Sequence, residues 1–132
     1  LARHRFYSGV IERLHALEAE GVAWMVLTTK GAAFARELLT AAGLHPSALY
    51  GHEAGSKPDV LEALLRQGRS PIWFVEDRRP TLEAVRARPA LDPVRCLLVS
   101  WGYLGPGDGL DLPAGIGWLT PAVFAGPLAA WP

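Results

Sequence analysis

Three polar clusters occur in one order along the 132-residue chain, each at a point where a structural element should stop or start. Thr28-Thr29-Lys30 follows the apolar residues 22–27, Ser56-Lys57-Pro58 follows a turn, and Glu76-Asp77 follows the apolar residues 72–75. A hydroxyl, an ammonium group and an acidic pair are together the equipment for holding a phosphoryl group and a divalent metal. Thr28 and the backbone amides after it, Thr29 included, would face phosphoryl oxygens near a helix start. Thr28 also has a plainer reading, as a residue that closes a strand and caps the next helix. Lys57 stands at the mouth of a helix, where the amide dipoles already place partial positive charge. A cation there makes sense if an anion sits opposite; the other reading is a solvated surface lysine. Two adjacent carboxylates at the end of a buried strand need a cation. Mg²⁺ suits them, since it takes one or two protein carboxylates, waters and a phosphate oxygen. Arg78 and Arg79 are the alternative counter-charges.

The elements that must position these groups alternate along the chain. Val10, Leu14 and Leu17, flanked by Ile11, recur at helical spacing, and Gly21 ends that helix. Residues 22–27 form a continuous apolar run, the pattern of a strand covered on both faces. A second helix is expected over residues 32–42, with Phe34, Leu38, Leu39 and Ala42 towards the core and Gly43 at its end. Residues 48–50 form a brief strand and 51–56 a loop. Ser56-Lys57-Pro58-Asp59 opens a helix whose apolar face is Val60, Leu61, Leu64 and Leu65. Residues 72–75 are the next buried strand, Pro80 starts another helix carrying Leu82 and Val85, and 95–99 is a further strand. Residues 102–115 hold five glycines and two prolines and form an irregular loop. A short strand at 116–119 precedes a last helix, opened by Thr120-Pro121 and running through Val123, Phe124 and Leu128. Strand–helix alternation at this spacing gives right-handed crossovers and a mostly parallel sheet with helices on both faces. Ligands of such sheets bind outside the carboxyl ends of the strands, and all three polar clusters fall on that edge.

Composition narrows the function classes. The charges balance, 13 basic against 13 acidic, so there is no electrostatic footprint for nucleic acid or an anionic membrane. A single cysteine, Cys96, excludes an internal disulfide framework and any cysteine-based zinc site; its apolar neighbours suit a buried, inert thiol. The histidines at 4, 15, 45 and 52 lack metal-ligand spacing. The apolar runs are far shorter than the ~20 residues a bilayer span needs. With no signal-peptide pattern, a cytoplasmic protein of one domain, residues 1–132, is expected.

Val26-Leu27-Thr28-Thr29-Lys30, Phe34-Ala35, Leu38-Leu39, Gly43-Leu44, Gly51, Lys57-Pro58 and Phe74-Val75-Glu76-Asp77 follow one another at informative spacing. In that order they resemble the haloacid dehalogenase-like hydrolases, especially the phosphoglycolate-phosphatase-like branch. Tyr7-Ser8-Gly9-Val10 with Leu14, Leu17 and Gly21 is similar to the helix that re-enters the core domain in that branch. The likeness covers residues 7–85 and, more loosely, 95–99. It implies a doubly wound, Rossmann-like α/β sheet and a Mg²⁺-dependent phosphatase acting on a small phosphorylated metabolite. It also implies that Thr28, with Thr29 beside it, binds the phosphoryl group. Lys57 would steady the nucleophile and the phosphoryl charge, and Asp77 and Glu76 would hold Mg²⁺. Many family members carry Gly-Asp with a second acid a few residues on. Here Glu76 replaces the Gly and Thr81 stands where that acid would fall, so the variant with two adjacent acids is the nearer match. Which of the pair contacts the metal is left open.

The family's nucleophilic Asp, and a second Asp two residues later, belong on a central strand upstream of these motifs. No Asp-x-Asp follows an apolar run here; Asp59, Asp92, Asp108 and Asp111 sit in loop or helix-start contexts. Without that pair, transfer through a covalent aspartyl intermediate cannot occur. The chain is therefore expected to be the C-terminal portion of a longer hydrolase, without a cap and inactive by itself. Its sheet would lack the strand between residues 22–27 and 72–75. Either those two strands close onto each other, or the slot leads to poor solubility and self-association. The alternative is a catalytically dead domain of this fold that binds a phosphorylated ligand or a protein partner, with Trp101 and Tyr103 as surface aromatics. Those aromatics have a second reading, as packing at the sheet edge. A third reading, an unrelated nucleotide-binding domain, lacks a Gly-x-Gly-x-x-Gly or Walker-type loop.

Overall fold

The computed structural model describes residues 9–101, 107 and 109–132. Tyr7, Ser8, Tyr103 and Asp108 lie outside the described residues, as does much of the expected loop at 102–115. The chain divides into two compact units, Leu1–Val60 and Leu61–Pro132.

In the first unit, helix α1 (Val10–Ala19) ends in a turn that sends Val22 N–H back to the Leu17 carbonyl at 2.9 Å. Gly21 sits there at φ 78°, a left-handed conformation that L side chains rarely adopt. That bond commits Val22 to the helix exit, and strand β1 is only Met25–Leu27, shorter than the apolar run predicts, although the Trp24 carbonyl already accepts the Ser47 N–H at 2.8 Å. Strand β2 (Ala48–Tyr50) pairs with it in parallel, Val26 opposite Leu49. Both strands are half-buried throughout; a two-stranded sheet does not cover β1 on both faces. Between them runs α2 (Ala32–Ala41), stopped at Gly43, where Leu44 N–H returns to the Leu39 carbonyl. Its buried stripe is Ala35 and Leu39, continued by Leu44, and Phe34 is turned outward at 39 % exposure. At about 100° per residue Phe34 falls on the flank of that stripe, and the Lys30 ammonium lies 5.5 Å from its ring centre.

Helix α3 (Lys57–Arg66) runs on into the second unit, with Val60, Leu61 and Leu64 buried. Ser56 Oγ accepts the Asp59 N–H at 3.2 Å, the cap expected of a helix opened by Ser-Lys-Pro-Asp.

The second unit holds strands β3 (Trp73–Glu76), β4 (Arg95–Val99) and β5 (Ile116–Leu119), all parallel, in the order β3-β4-β5. Helix α4 (Arg79–Arg86) joins β3 to β4 and buries Leu82 and Val85 completely. The middle strand β4 is buried over residues 96–99, as its apolar run predicts. Edge strand β3 differs from expectation. It alternates, with Phe74 and Glu76 buried and Val75 37 % exposed, because one of its faces is left uncovered. The described pairings join β1 to β2 and β3 to β4; closure of residues 22–27 onto 72–75, one of the two expected outcomes, is not among them. Helix α5 (Pro121–Ala125) starts with Thr120 Oγ1 accepting the Val123 N–H at 3.3 Å. It stops short of Leu128, which falls in a separate 3-10 turn at Leu128–Ala130. Pro127 has no N–H and disfavours a helical residue before it, so the helix breaks at Gly126. The tail then folds back as an aromatic cluster: Phe124 lies 5.4 Å from both Trp101 and Trp131, and Trp131 meets Trp73 edge-on at 6.5 Å. Trp101 therefore packs, the second of its two sequence readings. Among the described residues no helix is long and apolar enough to cross a membrane.

Cys96 is buried in β4, and burial pushes its thiol above the ordinary range, while Arg86 pulls the other way. A raised thiol pKa stabilises the fold below the unfolded thiol's pKa, and that contribution is lost as pH rises through the folded value. The thiol is expected to resist alkylation by iodoacetamide in the folded chain and to react fully in urea. Rapid labelling of the native protein would contradict its burial.

Candidate functional site

Each predicted polar group sits at the carboxyl end of a parallel strand or in the segment that follows one. In the first unit, Thr28 extends the β1–β2 ladder by donating its N–H to the Tyr50 carbonyl at 2.9 Å. Its Oγ1 accepts the Lys30 N–H at 3.1 Å, closing a tight turn. Thr28 thus closes its strand but does not cap the next helix, whose N-cap is Gly31 with no side-chain cap bond. The bond from Lys30 occupies one lone pair and leaves the hydroxyl proton able to donate to an anion. Thr28 is half-buried, and Thr29 and Lys30 are exposed. Lys57, also half-buried, is the first residue of α3, seven positions beyond the end of β2.

One residue that sequence reasoning passed over organises this edge. Glu53, in a 3-10 turn at His52–Ala54, reaches across to the start of α2, where Ala32 N–H donates to its Oε1 at 3.1 Å and to Oε2 at 3.4 Å. The backbone N–H groups of Glu53 itself and of Ala32 hold this exposed carboxyl below the usual range; desolvation opposes them, and the charge of His52 is a lesser pull in the same direction as the amides. The same two segments are joined by His52 N–H donating to the Lys30 carbonyl at 2.9 Å. Gly51, buried between them, sits so close to α2 that a Cβ there would lie 2.9 Å from Ala32 Cα and closer still to Ala32 N and Glu53 Oε1. The lone Glu in a polar loop carried no periodic signal; its partner lies 21 positions away.

In the second unit, β3 ends in the acidic pair. Glu76 is 8 % exposed, Asp77 is half-buried, and the Asp77 N–H donates to Glu76 Oε1 at 3.1 Å. Glu76 is in register with Leu98 and, through it, with Trp118, so it lies in a row with apolar neighbours. Arg79 donates to the carbonyls of Leu110 at 2.7 Å and Asp111 at 3.1 Å and to the Glu83 carboxylate at 3.4 Å. These bonds pin the loop before β5 to the start of α4. Arg78 is the exposed residue preceding α4. Glu76 and Asp77 are hard oxygen donors of the type Mg²⁺ takes from a protein, adjacent in sequence and one of them buried. Among the described residues no group of three or more His, Cys, Asp or Glu could hold a metal ion.

Thr28, Thr29 and Lys57 thus belong to the first unit and Glu76 and Asp77 to the second. Comparison with protein-family models, curated proteins and solved structures found no match to this chain.

Proposed function

We propose that the chain is the core of a Mg²⁺-dependent phosphate monoester hydrolase of the haloacid dehalogenase-like type, with a doubly wound sheet whose nucleophile-bearing strand lies upstream. The observation that carries this reading is the order of groups at carboxyl strand ends: Thr28 after β1, Lys57 after β2 and Glu76-Asp77 closing β3. Thr28 donates its hydroxyl proton to a phosphoryl oxygen, and the Lys57 ammonium neutralises phosphoryl charge. Glu76 and Asp77 hold the metal, whose contribution when bound is further charge neutralisation. The substrate class is a small phosphorylated metabolite. A second reading, a domain that binds such a ligand or a protein partner without turning it over, is favoured by the absence of Asp-x-Asp from the chain.

Titrating inorganic phosphate into the chain, with and without Mg²⁺, tests the proposal. Thr28→Val and Lys57→Met are each expected to weaken binding about tenfold, the effect of losing one charge-assisted hydrogen bond. Asp77→Ala is expected to abolish the Mg²⁺-dependent part of the affinity. Phosphate binding indifferent to all three changes, or to the metal, overturns the assignment. An Asp-x-Asp encoded upstream, together with phosphatase activity of the longer protein, separates hydrolysis from binding alone.

A further inference from the structure

We infer that Glu53 is the positioning residue of the phosphoryl-binding edge, because its carboxylate ties the Thr28 turn to the loop that delivers Lys57. The inference rests on the phosphoryl-binding reading of Thr28 and Lys57. Three contacts carry it. The Glu53 carboxylate takes the Ala32 N–H at the start of α2, four positions after Thr28. The His52 N–H donates to the Lys30 carbonyl at 2.9 Å. Gly51 is seated under Ala32 with no room for a side chain. Of these, the Glu53 bond is the one made by a side chain, and Glu53 is four positions before Lys57 on the same loop. A carboxylate on a helix-start amide is a charge-assisted bond favoured by the helix dipole, so it holds the two segments in one arrangement. The neighbouring charged groups are His52, whose Nε2 lies near Gly31, and Lys30, whose ammonium lies over Phe34. Fixing Thr28 relative to Lys57 before an anion arrives spares the ordering cost of binding.

A gripping pair held as a unit behaves cooperatively. In the parent chain the Thr28→Val/Lys57→Met double variant should therefore lose less phosphate affinity than the product of the two single losses. In a Glu53→Ala background that coupling should vanish and the two losses should multiply. Glu53→Ala alone should weaken inorganic phosphate binding about tenfold, and Glu53→Gln, which keeps an acceptor for Ala32 N–H, should recover part of it. Thermal midpoints are measured alongside, with Glu62→Ala, which breaks the Arg88–Glu62 pair, as a control that lowers stability without changing phosphate affinity. If Glu53→Ala binds phosphate as tightly as the parent while Thr28→Val and Lys57→Met still weaken it, Glu53 is a helix cap only and the positioning role is overturned. If the parent chain does not bind phosphate, the phosphoryl reading itself fails and this inference falls with it.

Discussion

Truncation of Leu98 to alanine is expected to cost about 2 to 5 kcal/mol of stability, the largest effect of any single change considered for this chain. Leu98 is completely buried in β4, the middle strand, flanked in register by Glu76 on β3 and Trp118 on β5. Removing its isobutyl group forfeits transfer free energy and leaves a cavity on the face of a strand that its neighbours hold on both sides. The loss also uncovers the apolar wall beside the Glu76 carboxylate. Against a total of roughly 5 to 15 kcal/mol for a domain, the variant would be partly unfolded at ambient temperature. Urea unfolding followed by tryptophan fluorescence measures this directly, because Trp73, Trp101, Trp118 and Trp131 all lie in the second unit and only Trp24 lies in the first. A change below about 1 kcal/mol would mean that Leu98 is not the packed centre of this sheet.

Gly51→Ala is the second large effect. Its backbone is extended, at φ −86° and ψ −174°, which any residue adopts, so the cost comes from space alone. The added methyl would press on the Ala32 backbone, which cannot swing aside as a flexible side-chain tip can. Overpacking of this kind costs about 1 to 3 kcal/mol. Relief requires moving the start of α2 away from the 51–54 segment, which breaks the Glu53–Ala32 bond. The Ala32 amide is therefore expected to exchange with solvent much faster in Gly51→Ala than in the parent, and phosphate affinity to fall with it. Retention of parental exchange at Ala32 would show that the loop accommodates the methyl elsewhere.

Much of the fold was legible from local rules. The boundaries of β2, β4 and β5 follow from short apolar runs between turn residues, and α3 and α5 begin where Ser56 and Thr120 cap them. What misled was the assumption that every apolar run is covered on both faces. Val22 serves the exit from α1, and Val75 is exposed, because burial on the second face depends on which strands end up central. Phe34 lies outside the buried stripe for a related reason: a helix face is chosen by what packs against it, and an aromatic ring can pair with a cation such as Lys30 instead.

The sequence by itself determined which chemical groups stand at strand ends, because apolar runs, glycine stops and hydroxyl caps act within a few residues of one another. It determined Thr28, Lys57, Glu76 and Asp77 as the polar termini of their elements. Only the tertiary structure decided that Glu53 closes the start of α2, that Gly51 is a contact too tight for a side chain, and that Arg79 holds the loop before β5. Those contacts join segments some twenty to thirty residues apart, and no local propensity encodes which backbone group a distant carboxylate or guanidinium will meet.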